Sequence, residues 1–159
     1  MSPGSVAWFR TLGAPLAAAD HALAQGYLCG LGLSGLKVRL VRSWQEAGEL
    51  CRRPAGAWWT AETEERRRLG GSPQRAPASQ VLQLGDEMQR AALQHAQRAG
   101  CEDPSLAYAA AGAASFAEFD ATLARSAGAG PSHAFLQKQA LFRAGRWPLG
   151  VYDSTLSIF

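Results

Sequence analysis

Cysteine, histidine and lysine are scarce in this chain, with three, three and two copies in 159 residues, and each shortage closes off a class of chemistry. Cys29, Cys51 and Cys101 are odd in number, far apart and outside any CxxC spacing. Neither a disulfide framework nor a zinc knuckle is expected from them, and they read as reduced, semi-buried thiols. Cys101 is the best placed to react, because it directly precedes a helix start at Asp103 where the helix dipole would lower a thiol pKa. Glu102 and Asp103 oppose that effect. His21, His95 and His133 fall on three separate expected helices, and none stands at metal-ligand spacing from a second ligand. They read as surface or structural residues.

Long apolar runs are also lacking. No stretch approaches the roughly 18 consecutive apolar residues that would suggest a membrane span. The opening MSPGSVAWFR has no basic start followed by an apolar run. Export and membrane association are not expected, and a cytoplasmic location is. The sequence contains neither GxSxG nor GxxxxGK[ST]. GLGLSG at 30–35 does match GxGxxG, but a dinucleotide site needs a strand before the glycines and a helix after them. Here the order is reversed, so the glycines read as a helix-to-strand connection and no cofactor is expected.

Alanine is abundant instead, and alanine is the best helix former because it loses no side-chain entropy. Its side chain is small, so the 5 Trp, 6 Phe and 3 Tyr residues must supply much of the buried area and should mark the core. The formal charge of +3 is a slight excess of 16 basic over 13 acidic groups. The dominance of Arg over Lys fits a GC-rich, bacterial coding sequence.

Periodicity divides the chain. Leu16, Ala19, Leu23 and Tyr27 predict a helix over about 15–29. Leu36, Val38 and Leu40 alternate with Lys37 and Arg39, predicting a strand over 36–41. Ser43 and Glu46 form a capping box for a helix over about 44–52. After Pro54 and Gly56, Trp58 and Trp59 lead into a charged helix ending near Leu69. Its Glu62 to Arg66 and Glu64 to Arg68 pairs are expected on an exposed face, with Arg66, Arg67 and Arg68 as a solvated helix end. The stretch 70–79 is expected to be a mobile loop, followed by a helix over about 80–99 capped by Ser79.

Asp103 and Pro104 signal another helix start. The SFAE motif at 115–118 predicts that this helix stops near Ala114 and a second one restarts, giving an antiparallel pair. A helix over 133–144 and strands over 149–152 and 155–159 close the chain, the hairpin being expected to meet the strand near Leu36. The fold expected is α+β, one mainly α-helical domain over 1–159 with six or seven short helices and a small antiparallel sheet that includes a C-terminal hairpin.

Since no catalytic signature stands out, the function expected is that of a non-enzymatic accessory or adaptor protein that binds another protein. The expected contact residues are Trp58, Trp59, Arg66, Arg67 and Arg68, because Trp and Arg lead the residue types that dominate interfaces. Two arrangements are open for the tryptophans: both buried in the core, which is the commoner one, or one packed inward and the other left at the surface. A nucleic-acid binder is the alternative: residues 36–75 carry nine basic and five acidic groups, interleaved with Trp44, Trp58 and Trp59. A small enzyme with an unrecognised site is the third reading.

Overall fold

The computed structural model describes residues 5–54, 56–70 and 78–159, with only the backbone described for 78–84. Six helices and three strands follow in the order α1 (Ala18–Gly30), β1 (Lys37–Leu40), α2 (Trp44–Cys51), α3 (Ala57–Gly70), α4 (Ala78–Arg98), α5 (Pro104–Ser126), α6 (Ala134–Arg143), β2 (Pro148–Tyr152) and β3 (Thr155–Ile158). This is the α+β fold expected, and none of the helices is long and apolar enough to cross a membrane among the described residues. The expected loop over 70–79 falls mainly on residues outside the described ones. Ser79 lies inside α4 rather than before it.

Local chemistry accounts for the element ends. Gly32 and Gly35 take φ of +73° and +86° between α1 and β1, which is the left-handed backbone that the helix-to-strand turn requires. Ser43 Oγ accepts the Glu46 amide at 3.1 Å, while the Glu46 carboxylate reaches one residue further back than a capping box does, to the Arg42 amide at 2.9 Å. Asp103 caps α5 by accepting the Ser105 and Leu106 amides, with Pro104 in the first turn.

Helix α5 corrects the sequence reading. SFAE does not restart a helix: α5 runs unbroken for 23 residues. Ser115 Oγ donates to the Gly85 carbonyl of α4 at 3.2 Å, so the hydroxyl ties two helices together instead of capping one. Ala107, Ala110, Ala111, Ala114, Ala117, Ala121 and Ala124 are all fully buried along this helix. Side chains this small let neighbouring helices approach closely, and α4 and α6 pack against α5.

The sheet has the order β1-β3-β2. The hairpin is antiparallel as expected, with Asp153 and Ser154 at φ of +49° and +57°, the two left-handed positions of a tight hairpin turn. It meets β1 through β3, but that pairing is parallel, so the sheet is mixed rather than antiparallel throughout. Leu156 and Ile158 of β3 pack with Ala24, Tyr27 and Leu28 of α1. A second core joins Trp8, Phe9, Phe142, Trp147 and Phe159, with Trp44 against it in edge-to-face ring contacts. Most of the aromatic residues mark the core as expected, whereas Trp59, Tyr108, Phe116 and Phe119 are exposed.

The N-terminal segment is fixed by one side chain. Buried Arg146 donates to the carbonyls of Thr11, Ala14 and Pro15 at 2.6–2.8 Å and to Asp20 at 2.9 and 3.1 Å. Asp20 also accepts the Ala17 amide at the start of α1. Five contacts from one guanidinium make a fork that a lysine ammonium could not reproduce.

Candidate functional site

Helix α3 turns Glu62 and Arg66 inward, contrary to the exposed face expected of that pair, while Glu64, Arg67 and Arg68 are exposed as expected. Trp58, Glu62 and Leu69 are buried on one side of the helix, and Glu62 is fully buried. Facing it across the interface, α5 buries Asp120 completely within its alanine stripe. Between the two carboxylates sits Arg66, whose guanidinium grips Asp120 through two bonds at 2.7 and 2.8 Å and reaches Glu62 at 2.9 Å. Lys138 of α6 donates to Glu62, and the Tyr27 hydroxyl of α1 donates to the same carboxylate at 2.5 Å. Two acids and two bases thus form a quartet of zero formal charge that joins α3, α5 and α6, and Tyr27 ties α1 to it. Taking ions out of water is affordable only when each is paired and hydrogen-bonded, as these are.

The protonation states follow from this geometry. Burial alone would push the Glu62 carboxyl up, but Lys138, Tyr27 and Arg66 more than offset it and hold the group below the ordinary glutamate value. Asp120 goes the other way: burial raises it, and Arg66 and Lys138 counter only part of the rise. Burial and the neighbouring Glu62 charge keep the Tyr27 hydroxyl protonated far above its usual range, which suits its role as a donor. Burial opposes the Arg66 charge, yet Asp120 and Glu62 outweigh it and strengthen that charge.

A second link runs from α3 to the start of α6. His133 caps α6, its Nδ1 accepting the Phe135 amide at 3.1 Å. Because Nδ1 accepts, Nε2 carries the proton, and it lies 2.7 Å from Glu65 Oε1. Glu65 also accepts two bonds from Arg68, so Arg68 pairs three residues back rather than with Glu64. Against the rise that burial would cause, these partners hold the Glu65 carboxyl low, Arg68 contributing most.

The five residues expected to meet a partner therefore separate. Trp58 is buried, its ring against the backbone of β2. A Cβ added at Gly150, whose φ is +141°, would come within 2.6 Å of that indole. The Trp58 indole nitrogen is buried and has no hydrogen-bond partner among the described residues. Arg66 is largely consumed by the quartet, whereas Trp59, Arg67 and Arg68 are exposed, Arg68 while paired with Glu65. One tryptophan in and one out is the second of the two arrangements that the sequence left open.

Two residues escaped the sequence reading. Phe116 and Phe119 of α5, whose rings meet edge to face at 6.2 Å, stand 52% and 40% exposed, beside Trp59 at 48%. Arg66 joins this group from beneath, with its guanidinium carbon 5.5 Å from the Trp59 ring and 5.3 Å from that of Phe116. Buried Phe135 closes the inner side at 5.6 Å. The result is an aromatic surface spread over two helices and supported by a paired cation. The signal available in the sequence was the i,i+3 spacing of two phenylalanines on a helix otherwise lined by alanine.

The remaining groups are arranged less suggestively. Arg39 pairs with Glu46 and Arg53 with Asp153, so much of the basic charge over 36–75 is neutralised locally. Among the described residues no three His, Cys, Asp or Glu side chains are grouped to hold a metal ion. The three thiols are not uniformly semi-buried: Cys29 and Cys51 are exposed and Cys101 is buried. Cys101 donates weakly to the Asp103 carbonyl at 3.4 Å, and burial raises its pKa where the helix dipole was expected to lower it.

Fold and site together define a mainly helical α+β protein with a buried ion quartet beneath an exposed aromatic surface. No protein-family model, curated protein or solved structure matches the chain.

Proposed function

We propose that this chain is a non-enzymatic accessory or adaptor protein of a bacterial cytoplasm that binds another protein through Trp59, Phe116 and Phe119. The carrying observation is that these three large rings are 40–52% exposed on adjacent helices, while most of the other aromatic residues are buried. A contiguous exposed apolar patch is uncommon on a monomeric protein and marks interaction surfaces. Rings held by a rigid scaffold lose little entropy on binding, which favours them as contact residues. Arg66 fixes Trp59 and Phe116 from behind, and exposed Arg67 adds a charge on the same helix.

The quartet fits a structural role within this reading. Glu62 and Asp120 are fully buried and bound to arginine and lysine, which leaves neither carboxylate free to take a proton from a substrate.

Photo-crosslinking tests the surface. A crosslinking residue at position 59 or 116 should capture the same protein from the native cell, and one at exposed position 109 should not. Trp59→Ala with Phe116→Ala should weaken that complex by at least about 2 kcal/mol, roughly 30-fold, without altering the melting temperature appreciably. Equal capture from position 109, or an unchanged affinity in the double variant, would remove the proposal.

A further inference from the structure

Strand β1 lies at the edge of the sheet and makes ladder bonds on one side only. The Lys37 amide bonds to the Ser154 carbonyl and the Val41 amide to the Ile158 carbonyl. In a parallel pair the residues that bond to the neighbour alternate, so Lys37, Arg39 and Val41 face β3. The amide and carbonyl groups of Val38 and Leu40 consequently point away from the sheet. No backbone partner for those groups is found among the described residues.

Side chains divide the same strand by face. Lys37 and Arg39 project from one face and are exposed, whereas Val38 and Leu40 are half-buried on the other. Arg42 is exposed just beyond the strand, and Glu46, paired with Arg39, is the one acid bonded to this group among the described residues. The edge is thus a short template of two donors and two acceptors, bordered by net positive charge.

That charge selects among occupants. An antiparallel copy of β1 would set Arg39 opposite Arg39, or Lys37 opposite Arg39, in the registers with most overlap, and like charges directly opposite one another are destabilising. Basic residues on a short edge strand are a recognised guard against self-pairing. They leave the edge open to a strand of opposite charge.

We propose that the β1 edge accepts an extended acidic peptide segment as a fourth, antiparallel strand. Its carboxylates would alternate along the face of Lys37 and Arg39, with apolar β-branched residues between them on the face of Val38 and Leu40. Main-chain bonds to Val38 and Leu40 would supply affinity, and the two basic side chains would choose the sequence. This surface is separate from the Trp59 surface, and either one can stand without the other.

A fluorescent seven-residue peptide alternating Val and Glu provides the test on the full chain. It should bind, and it should slow amide hydrogen exchange at Val38 and Leu40. Placing Lys for Glu in the peptide, or N-methyl groups on its valines, should each weaken binding at least tenfold. Lys37→Glu with Arg39→Glu, both changes at exposed positions, should reverse the preference towards the lysine peptide. No binding, equal binding of the N-methylated peptide, or unaltered exchange at Val38 and Leu40 would overturn the proposal. Sedimentation showing a dimer whose formation protects those two amides without any peptide would overturn it in favour of a second copy of the chain.

Discussion

Two regions of this protein are held together in opposite ways. Around Trp147, the rings of Phe9, Trp44, Phe142 and Phe159 interlock with apolar neighbours. Around Glu62, four helices converge on a carboxylate shared by Tyr27, Arg66 and Lys138, with Asp120 completing the charge balance. The apolar region loses stability in proportion to the volume removed, and no second change nearby restores it. The ionic region is different in kind, because removing one member strands a charge that was tolerated only while paired. A buried quartet therefore says little about how much stability the charges add and much about which geometry they permit.

The largest expected effect comes from breaking that pairing. Glu62→Ala should destabilise the protein by about 3–5 kcal/mol, since it strands Lys138 and part of Arg66 without a counter-ion. Phe142→Ala should lose a similar amount through cavity formation. Urea denaturation would measure both. The comparison between regions lies in what a second change repairs rather than in these two magnitudes.

Arg146 shows a third arrangement, in which one ion serves the backbone. Arg146→Lys keeps the charge beside Asp20 but cannot reach the carbonyls of Thr11, Ala14 and Pro15 together. A loss of about 1–3 kcal/mol is expected. It should be accompanied by faster hydrogen exchange at the Ala14 amide, which bonds to the Thr11 carbonyl.

Acid titration separates the two buried carboxylates by sign. Glu62 and Glu65 are held below the glutamate value, so the stability they contribute is present above about pH 4.5 and is lost as pH falls through their lowered folded values. Asp120 is raised above the aspartate value, so its contribution changes in the opposite sense, becoming more favourable as pH falls through its folded value. Glu62→Gln should flatten the acid-side decline in unfolding free energy, and Asp120→Asn should steepen it. Equal slopes in the two variants would contradict these assignments. The smallest effect belongs to the cap of α2, where Ser43→Ala should cost about 1 kcal/mol in the same denaturation measurement.

Most of the fold was legible because its signals are local. Ser43, the Asp103 and Pro104 pair, the alternation around Val38, and the turn at Asp153 and Ser154 each carry their own chemistry. The break assigned to Ser115 failed because a hydroxyl followed by a glutamate three residues on looks the same whether the serine caps a helix or bonds to a neighbouring one. Parallel pairing of β1 was also hidden, since period-two alternation fixes a buried face and not a partner's direction.

The site was read less completely. An i,i+4 pair such as Glu62 and Arg66 has the same spacing on a solvated face as in a core. Yet Trp58, Glu62 and Leu69 share one helical face, and Asp120 lies among Ala117, Ala121 and Ala124, so burial of both acids was foreshadowed by their neighbours. Which tryptophan turned outward depended on β2, because Gly150 makes the space that Trp58 fills. Nothing near Trp58 in the chain announces a glycine almost a hundred residues away.

The most direct test of the central contrast is a double-mutant cycle on Glu62→Leu and Lys138→Met, followed by urea denaturation. If the buried ions depend on mutual pairing, the double variant will recover at least half of the stability lost in Glu62→Leu alone, because the charge stranded by the first change is removed by the second. Losses that simply add would contradict the account, and would mean that each side chain holds the helices independently of the other's charge.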